Sequence, residues 1–177
     1  MTPPAGFAAA DVAVARGDVA SDAAATRLAT VLADAAQLVR PKIALMVLAT
    51  VVAAFWLTAG RPADAGGLLV LLAGTALVAA SSSIANQILE RRTDRLMPRT
   101  ARRPVAAGRL GSAAAAAIAG ATLVVGTLVI VRVAGWQPAA AAVATWVLYL
   151  VAYTPLKRIS PLNTAVGAVA GALPVAI

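Results

Sequence analysis

Five stretches of the chain carry no charge: residues 43–60, 65–89, 110–131, 133–156 and 159–177, which are 18, 25, 22, 24 and 19 residues long. At about 1.5 Å per residue, helices of these lengths cross a hydrocarbon core of roughly 30 Å. One such stretch can hide inside a large soluble domain. Five of them in 177 residues leave too little polar surface to cover a soluble fold. Composition agrees, with 61% hydrophobic and 12% charged residues against roughly 25% charged in soluble domains. The pattern predicts an all-α, multi-pass transmembrane helical bundle with about five spans.

A net charge of +8 would suit nucleic acid, but its distribution points elsewhere. Arg16, Arg27, Arg40 and Lys42 precede the first span. Arg91, Arg92, Arg95, Arg99, Arg102, Arg103 and Arg109 fill the connection after the second, and Lys157 and Arg158 follow the fourth. That is 13 of the 15 basic residues, with Arg61 and Arg132 opposite. Cytoplasmic loops of membrane proteins carry the excess of Lys and Arg. The expected location is therefore the inner (plasma) membrane, with the N-terminus and both basic loops in the cytoplasm and no nucleic-acid partner. The chain has no cysteine, hence no disulfide framework.

Residues 1–39 lack a basic segment followed by an unbroken apolar one, so they do not read as a signal peptide. They are expected to form a cytoplasmic N-terminal arm. The first span is expected at about 43–59, with Trp56 near the far interface and a turn at Gly60, Arg61 and Pro62. The second runs from Gly67 to about Asn86. The third and fourth cover about 111–131 and 136–153, and a fifth follows Ser160.

Chemistry concentrates in NQILERRTDRLMPRTARRPVAAGR, from Asn86 to Arg109. Asn86, Glu90 and Asp94 recur every four residues, which puts them on one helix face, a turn apart. Their oxygens suit Mg²⁺, a hard ion held by a few carboxylates together with substrate phosphates. Pro98 limits continuation of the helix. Guanidinium groups next to acidic metal ligands suit a polyanion such as diphosphate. Charged residues beyond a membrane helix are equally well explained as a solvated cap and a topology signal, so the residues alone leave both readings open. A second cluster, YTPLKRISPLN, spans Tyr153 to Asn163 at another helix end on the same side. Lys157 there can neutralise a diphosphate oxygen, and Tyr153 can donate a hydrogen bond or shield a cation with its ring. Interfacial anchoring explains Lys157 and Arg158 as well, and Asn163 also suits a helix cap or cross-link.

The two motifs, with RPKI at 40–43 before the first span, resemble the signatures of the haem O synthases among the UbiA-like intramembrane prenyltransferases. The combination of Asn-x-x-x-Glu-x-x-x-Asp with Met-x-Arg-Thr and Arg-Pro carries the resemblance. It implies transfer of a farnesyl group from farnesyl diphosphate to a vinyl group of protohaem IX, with Mg²⁺ as cofactor. Assembly partners such as haem A synthase or a terminal oxidase are also implied. Asn86, Glu90 and Asp94 match the metal-diphosphate motif and Arg99, Arg102 and Arg103 its basic continuation. Tyr153, Lys157 and Arg158 match the second signature. Of these, Asn86, Glu90, Asp94 and Lys157 are the expected catalytic set.

The resemblance also implies about nine spans and a second acidic motif, whereas no carboxylate side chain follows Asp94 and the chain has no histidine to ligate haem iron. Residues 40–177 are therefore expected to be the N-terminal part of a truncated UbiA-like domain, weak or inactive alone. Two further readings stay open: a related prenyltransferase acting on a quinone precursor or other aromatic acceptor, and a noncatalytic membrane fragment or scaffold.

Overall fold

The computed structural model describes residues 25–58, 65–157 and 161–177. Arg158 and the turn expected at Gly60, Arg61 and Pro62 lie outside the described residues, as do the first 24 residues of the arm. All described secondary structure is helical. Its elements are α1 (Ala25–Val39), α2 (Pro41–Thr58), α3 (Ala65–Asp94), α4 (Ser112–Ala134) and α5 (Trp136–Val147). α5 continues through a wide π-helical turn, Leu148–Tyr153, into α6 (Thr154–Leu156), and α7 (Asn163–Ala172) ends in a 3₁₀ turn, Leu173–Ala176. The chain divides at Ala36/Gln37, and Gln37–Ile177 is the unit described below.

Among the described residues three helices are long and apolar enough to cross a membrane: Ala65–Asp94, Ser112–Ala134 and the continuous run Trp136–Leu156. The pair broken at Arg40 makes a fourth if counted as one span. The last apolar interval forms a shorter helix, Asn163–Ala176. The architecture is thus an all-α, multi-pass, membrane-like bundle with three to four candidate spans. Large apolar side chains point outward on every long helix, among them Met46, Leu57, Leu69, Val124, Leu128 and Val151. Such a surface is stable only where lipid replaces water.

With lipid outside, helices associate through close packing and buried hydrogen bonds, and small residues let backbones approach. α3 and α4 meet at Gly74 and Gly126, where a Cβ on Gly126 would lie 2.7 Å from the Gly74 carbonyl oxygen. Val51, Leu71, Val78, Ile130, Ala139 and Ala142 form one core cluster, joining α2 to α5. Ser81 links three helices: its hydroxyl donates to the Ala119 carbonyl (2.7 Å) and accepts from the Trp146 indole N–H (3.0 Å). Between α4 and α5 the chain reverses at Gly135, whose φ of +90° lies in the left-handed region where a side chain is strained. Pro138 then sits in the first turn of α5, where no intrahelical N–H bond is lost.

Residues 95–111 fold back onto the end of α3. Thr100 Oγ1 donates to the Asp94 carbonyl (3.0 Å), and Arg95 Nε donates to the Ala106 carbonyl (2.8 Å). Val105 packs against Ile84, Ala115 and Ala119. The basic connection is a folded element that shares a core with α3 and α4.

Candidate functional site

α3 continues two turns beyond its apolar segment, to Asp94, and carries Asn86, Glu90 and Asp94 inward. Exposure is 0% for Asn86, 7% for Glu90 and 4% for Asp94. Buried carboxylates require charged or hydrogen-bonding partners, and these two have them. Lys157 Nζ stands 2.5 Å from Glu90 Oε1, and Asn86 Nδ2 donates to Glu90 Oε2 at 2.7 Å. Asn86 is itself held, because Thr154 Oγ1 lies 3.0 Å from its Oδ1 and 2.8 Å from the Tyr149 carbonyl, sharing one proton between them. One turn on, Arg103 Nη1 donates to Asp94 Oδ2 at 2.7 Å.

The π-helical turn explains how the second motif reaches the first. A wide turn rotates the residues that follow it relative to a regular helix. Here it stacks Tyr149 on Tyr153, with centroids 5.4 Å apart and planes 17° from parallel, and brings Thr154 and Lys157 to α3. Lys157 Nζ also sits 5.9 Å from the Tyr153 ring centre, within reach of a cation–π contact. Arg40 closes the group from the start of α2, with Nη1 3.3 Å from the Tyr149 hydroxyl. Its φ of +52° is unusual for a residue with a side chain.

This polar knot borders a cavity of about 630 Å³ enclosed by α2, α3, α5 and α7. Arg40, Tyr149, Tyr153, Lys157 and Asn163 line it near the helix ends, while Val47, Thr75, Val78, Ala142, Trp146 and Pro174 line its apolar remainder. Its size and lining are those of a small-molecule site, mostly apolar with a few converging polar groups. Gly167 lets α7 approach Tyr153, since a Cβ there would lie 3.0 Å from the ring. Among the described residues no three of His, Cys, Asp and Glu converge on one point. The acidic contribution is Glu90 and Asp94, two carboxylates a turn apart.

Residues 47–177 match the profile of the UbiA prenyltransferase family. The chain belongs to that family. It is 42% identical over 141 residues to a protoheme IX farnesyltransferase of Rhodopirellula baltica, covering 80% of this chain and 49% of that protein. It is 49% identical over 108 residues to one of Geobacter sulfurreducens, covering 60% and 39%. A mitochondrial protoheme IX farnesyltransferase of Arabidopsis thaliana is 39% identical over 142 residues, covering 78% and 32%. The chain spans half the length or less of these curated relatives. No solved structure matches it.

Within this UbiA-family bundle the expected residues separate into two groups. Asn86, Glu90, Lys157 and Tyr153 form one connected set of contacts, and Asp94 and Arg103 form a separate pair one turn on. Arg99 and Arg102 are exposed on the folded connection, and Arg158 is outside the described residues. Arg40, Tyr149 and Thr154 complete the site without having been singled out as its members. Arg40 had a signal, the RPKI motif, and Tyr149 stands four residues before Tyr153. Thr154 had none, because its role depends on a contact 68 residues away.

Proposed function

We propose that this chain carries the diphosphate-binding half-site of a farnesyltransferase that converts protohaem IX to haem O. The observation that carries the proposal is Lys157, which lines the polar end of an apolar cavity with Arg40, Tyr149 and Tyr153 and is held there by Glu90, itself bonded to Asn86. An isoprenoid diphosphate has the same division: an anionic head for Lys157 and Arg40, and a hydrocarbon tail for the surface between Thr75 and Trp146. Lys157 has three N–H donors. One serves Glu90, and the others are available to a diphosphate oxygen.

The donor set fits Mg²⁺. Glu90 and Asp94 supply the one or two carboxylates such an ion takes beside substrate phosphates. Asn86, engaged by Thr154, orients Glu90 and stands next in the same row. When bound, the ion neutralises charge on the departing diphosphate.

In the proposed reaction the bond between diphosphate oxygen and the first farnesyl carbon breaks, and diphosphate leaves with the electron pair. The vinyl group of protohaem forms the new carbon–carbon bond. Water then adds to the porphyrin-side carbon and releases a proton, giving the hydroxyfarnesyl product. Lys157 and Arg40 bind the leaving group, the stacked Tyr149 and Tyr153 rings face developing positive charge, and the apolar lining excludes early water. Arg99 and Arg102 add positive potential at the same, cytoplasmic end. No protein nucleophile takes part.

The test supplies protohaem, farnesyl diphosphate and Mg²⁺ to membranes containing the chain together with the C-terminal half of a curated relative, alongside parallel reactions with quinone precursors. Haem O detected by mass spectrometry, lost in Lys157→Ala, is the expected result. Selective prenylation of a quinone precursor would assign a different acceptor to the same diphosphate site.

A further inference from the structure

A second concave site lies on the side of α3 turned away from Asn86, Glu90 and Asp94. It encloses about 360 Å³ between the end of α3 and the start of α4, and its walls include Arg91, Arg92, Arg95, Val105, Leu110 and Ser112. Two of the guanidinium groups are already fixed. Arg91 Nη1 donates to Ser112 Oγ at 2.7 Å, and Arg95 Nε donates to the Ala106 carbonyl at 2.8 Å. Both acceptors are neutral. Among the described residues no acidic side chain lines the cleft, and the nearest carboxylates in sequence, Glu90 and Asp94, face Lys157 and Arg103 instead. Three cations therefore converge on a cleft whose walls supply no counter-charge.

A topology signal requires basic residues near the surface, but it does not require them to converge or to be held by hydrogen bonds. We infer that this cleft binds the phosphate of an anionic phospholipid headgroup. Its place in the bundle selects a lipid over a free phosphate. The cleft lies where two membrane-length helices end and begin, which is the level of the headgroups. Leu89, one turn before Arg92, is 58% exposed, and Leu96 is 82% exposed. An acyl chain has apolar surface to follow from the same cleft. Basic pockets between membrane helices hold such headgroups through charge-assisted hydrogen bonds. The inference does not depend on the proposed prenyl transfer.

The experiment is native mass spectrometry of the full chain released from detergent micelles doped with phosphatidylglycerol or phosphatidylcholine. Phosphatidylglycerol is expected to stay bound and phosphatidylcholine to be lost. Arg92→Gln and Arg95→Gln should each lower phosphatidylglycerol retention about fivefold, equivalent to ~1 kcal/mol per basic residue. Arg92→Lys should retain the lipid, as should Arg132→Gln at the opposite end of α4. Arg92 is exposed and donates no hydrogen bond to the fold, so its replacement leaves the helices intact, which circular dichroism verifies. Equal retention in wild type and Arg92→Gln would overturn the inference. So would equal retention of the two lipids, or displacement of phosphatidylglycerol by millimolar inorganic phosphate, which would mark a free-anion site.

Discussion

Replacing Lys157 with methionine keeps the length of the side chain but removes one cation from Glu90. Glu90 is 7% exposed, and the Lys157 side chain 27%. Removing one partner of a fully buried ion pair costs ~3–5 kcal/mol. Because water reaches about a quarter of Lys157, with 27% of its side chain exposed, solvent screens part of the interaction. A loss of ~1.5–3 kcal/mol follows, the range for a hydrogen bond to a charged group. Glu90→Gln removes the charge from the other side, so the double variant Glu90→Gln/Lys157→Met leaves no buried carboxylate without its cation. The double change should therefore destabilise less than the two singles added, by at least ~1 kcal/mol of coupling. Denaturation in mixed micelles, followed by helical circular dichroism, measures all four proteins. Strict additivity would refute the argument, because it would mean that the 2.5 Å contact contributes nothing to the fold. Diphosphate binding should behave differently and stay lost in the double variant, since both its functional groups are gone.

Three further changes probe other parts of the account. Gly126→Val places a side chain where even a Cβ meets the Gly74 carbonyl at 2.7 Å, so α3 and α4 must separate; a stability loss of ~1–3 kcal/mol or more is expected in the same micelle assay. Thr154→Val removes the hydroxyl that holds Asn86 Oδ1. It should cost ~1 kcal/mol of stability and weaken binding of farnesyl thiodiphosphate, measured by titration calorimetry. Asp94→Asn should raise the Mg²⁺ concentration needed for that binding by about tenfold, and should loosen residues 95–111, read as faster hydrogen exchange. An unchanged Mg²⁺ requirement would remove Asp94 from the proposed metal set.

The membrane character and the acidic row were legible because both are local. Uncharged length set the helices closely: 111–131 was expected and Ser112–Ala134 found, and 43–59 was expected against Pro41–Thr58. Four-residue spacing put Asn86, Glu90 and Asp94 on one helix face, and α3 does continue to Asp94. Charge alone left the connection after α3 open between a solvated cap and a diphosphate-binding segment, and neither reading foresaw its packing. Thr100, Pro104, Val105 and Ala106 are buried, because Arg95 and Arg103 satisfy partners on the fold itself. The last apolar interval was read as a fifth span, and the described part of it forms a shorter helix with a 3₁₀ end. The partners of the acidic residues were beyond reach of spacing. Lys157 was read as a diphosphate partner or an interfacial anchor, whereas it holds Glu90 across 67 positions of sequence. That pairing depends on the π-helical turn at Leu148–Tyr153, which apolar periodicity does not reveal.

The central claim is that the cavity between α2, α3, α5 and α7 receives the isoprenoid chain while its head lies at Lys157. A farnesyl diphosphate analogue with a photoreactive group at the tail end tests this most directly, with labelled peptides mapped by mass spectrometry. Adducts are predicted on residues 75–83 of α3 and on residues 142–149 of α5 and the start of its π-helical turn, suppressed by unlabelled farnesyl diphosphate and reduced in Lys157→Met. Labelling confined to the outward apolar face of α4 around Val124 and Leu128, or insensitive to competitor, would contradict the account.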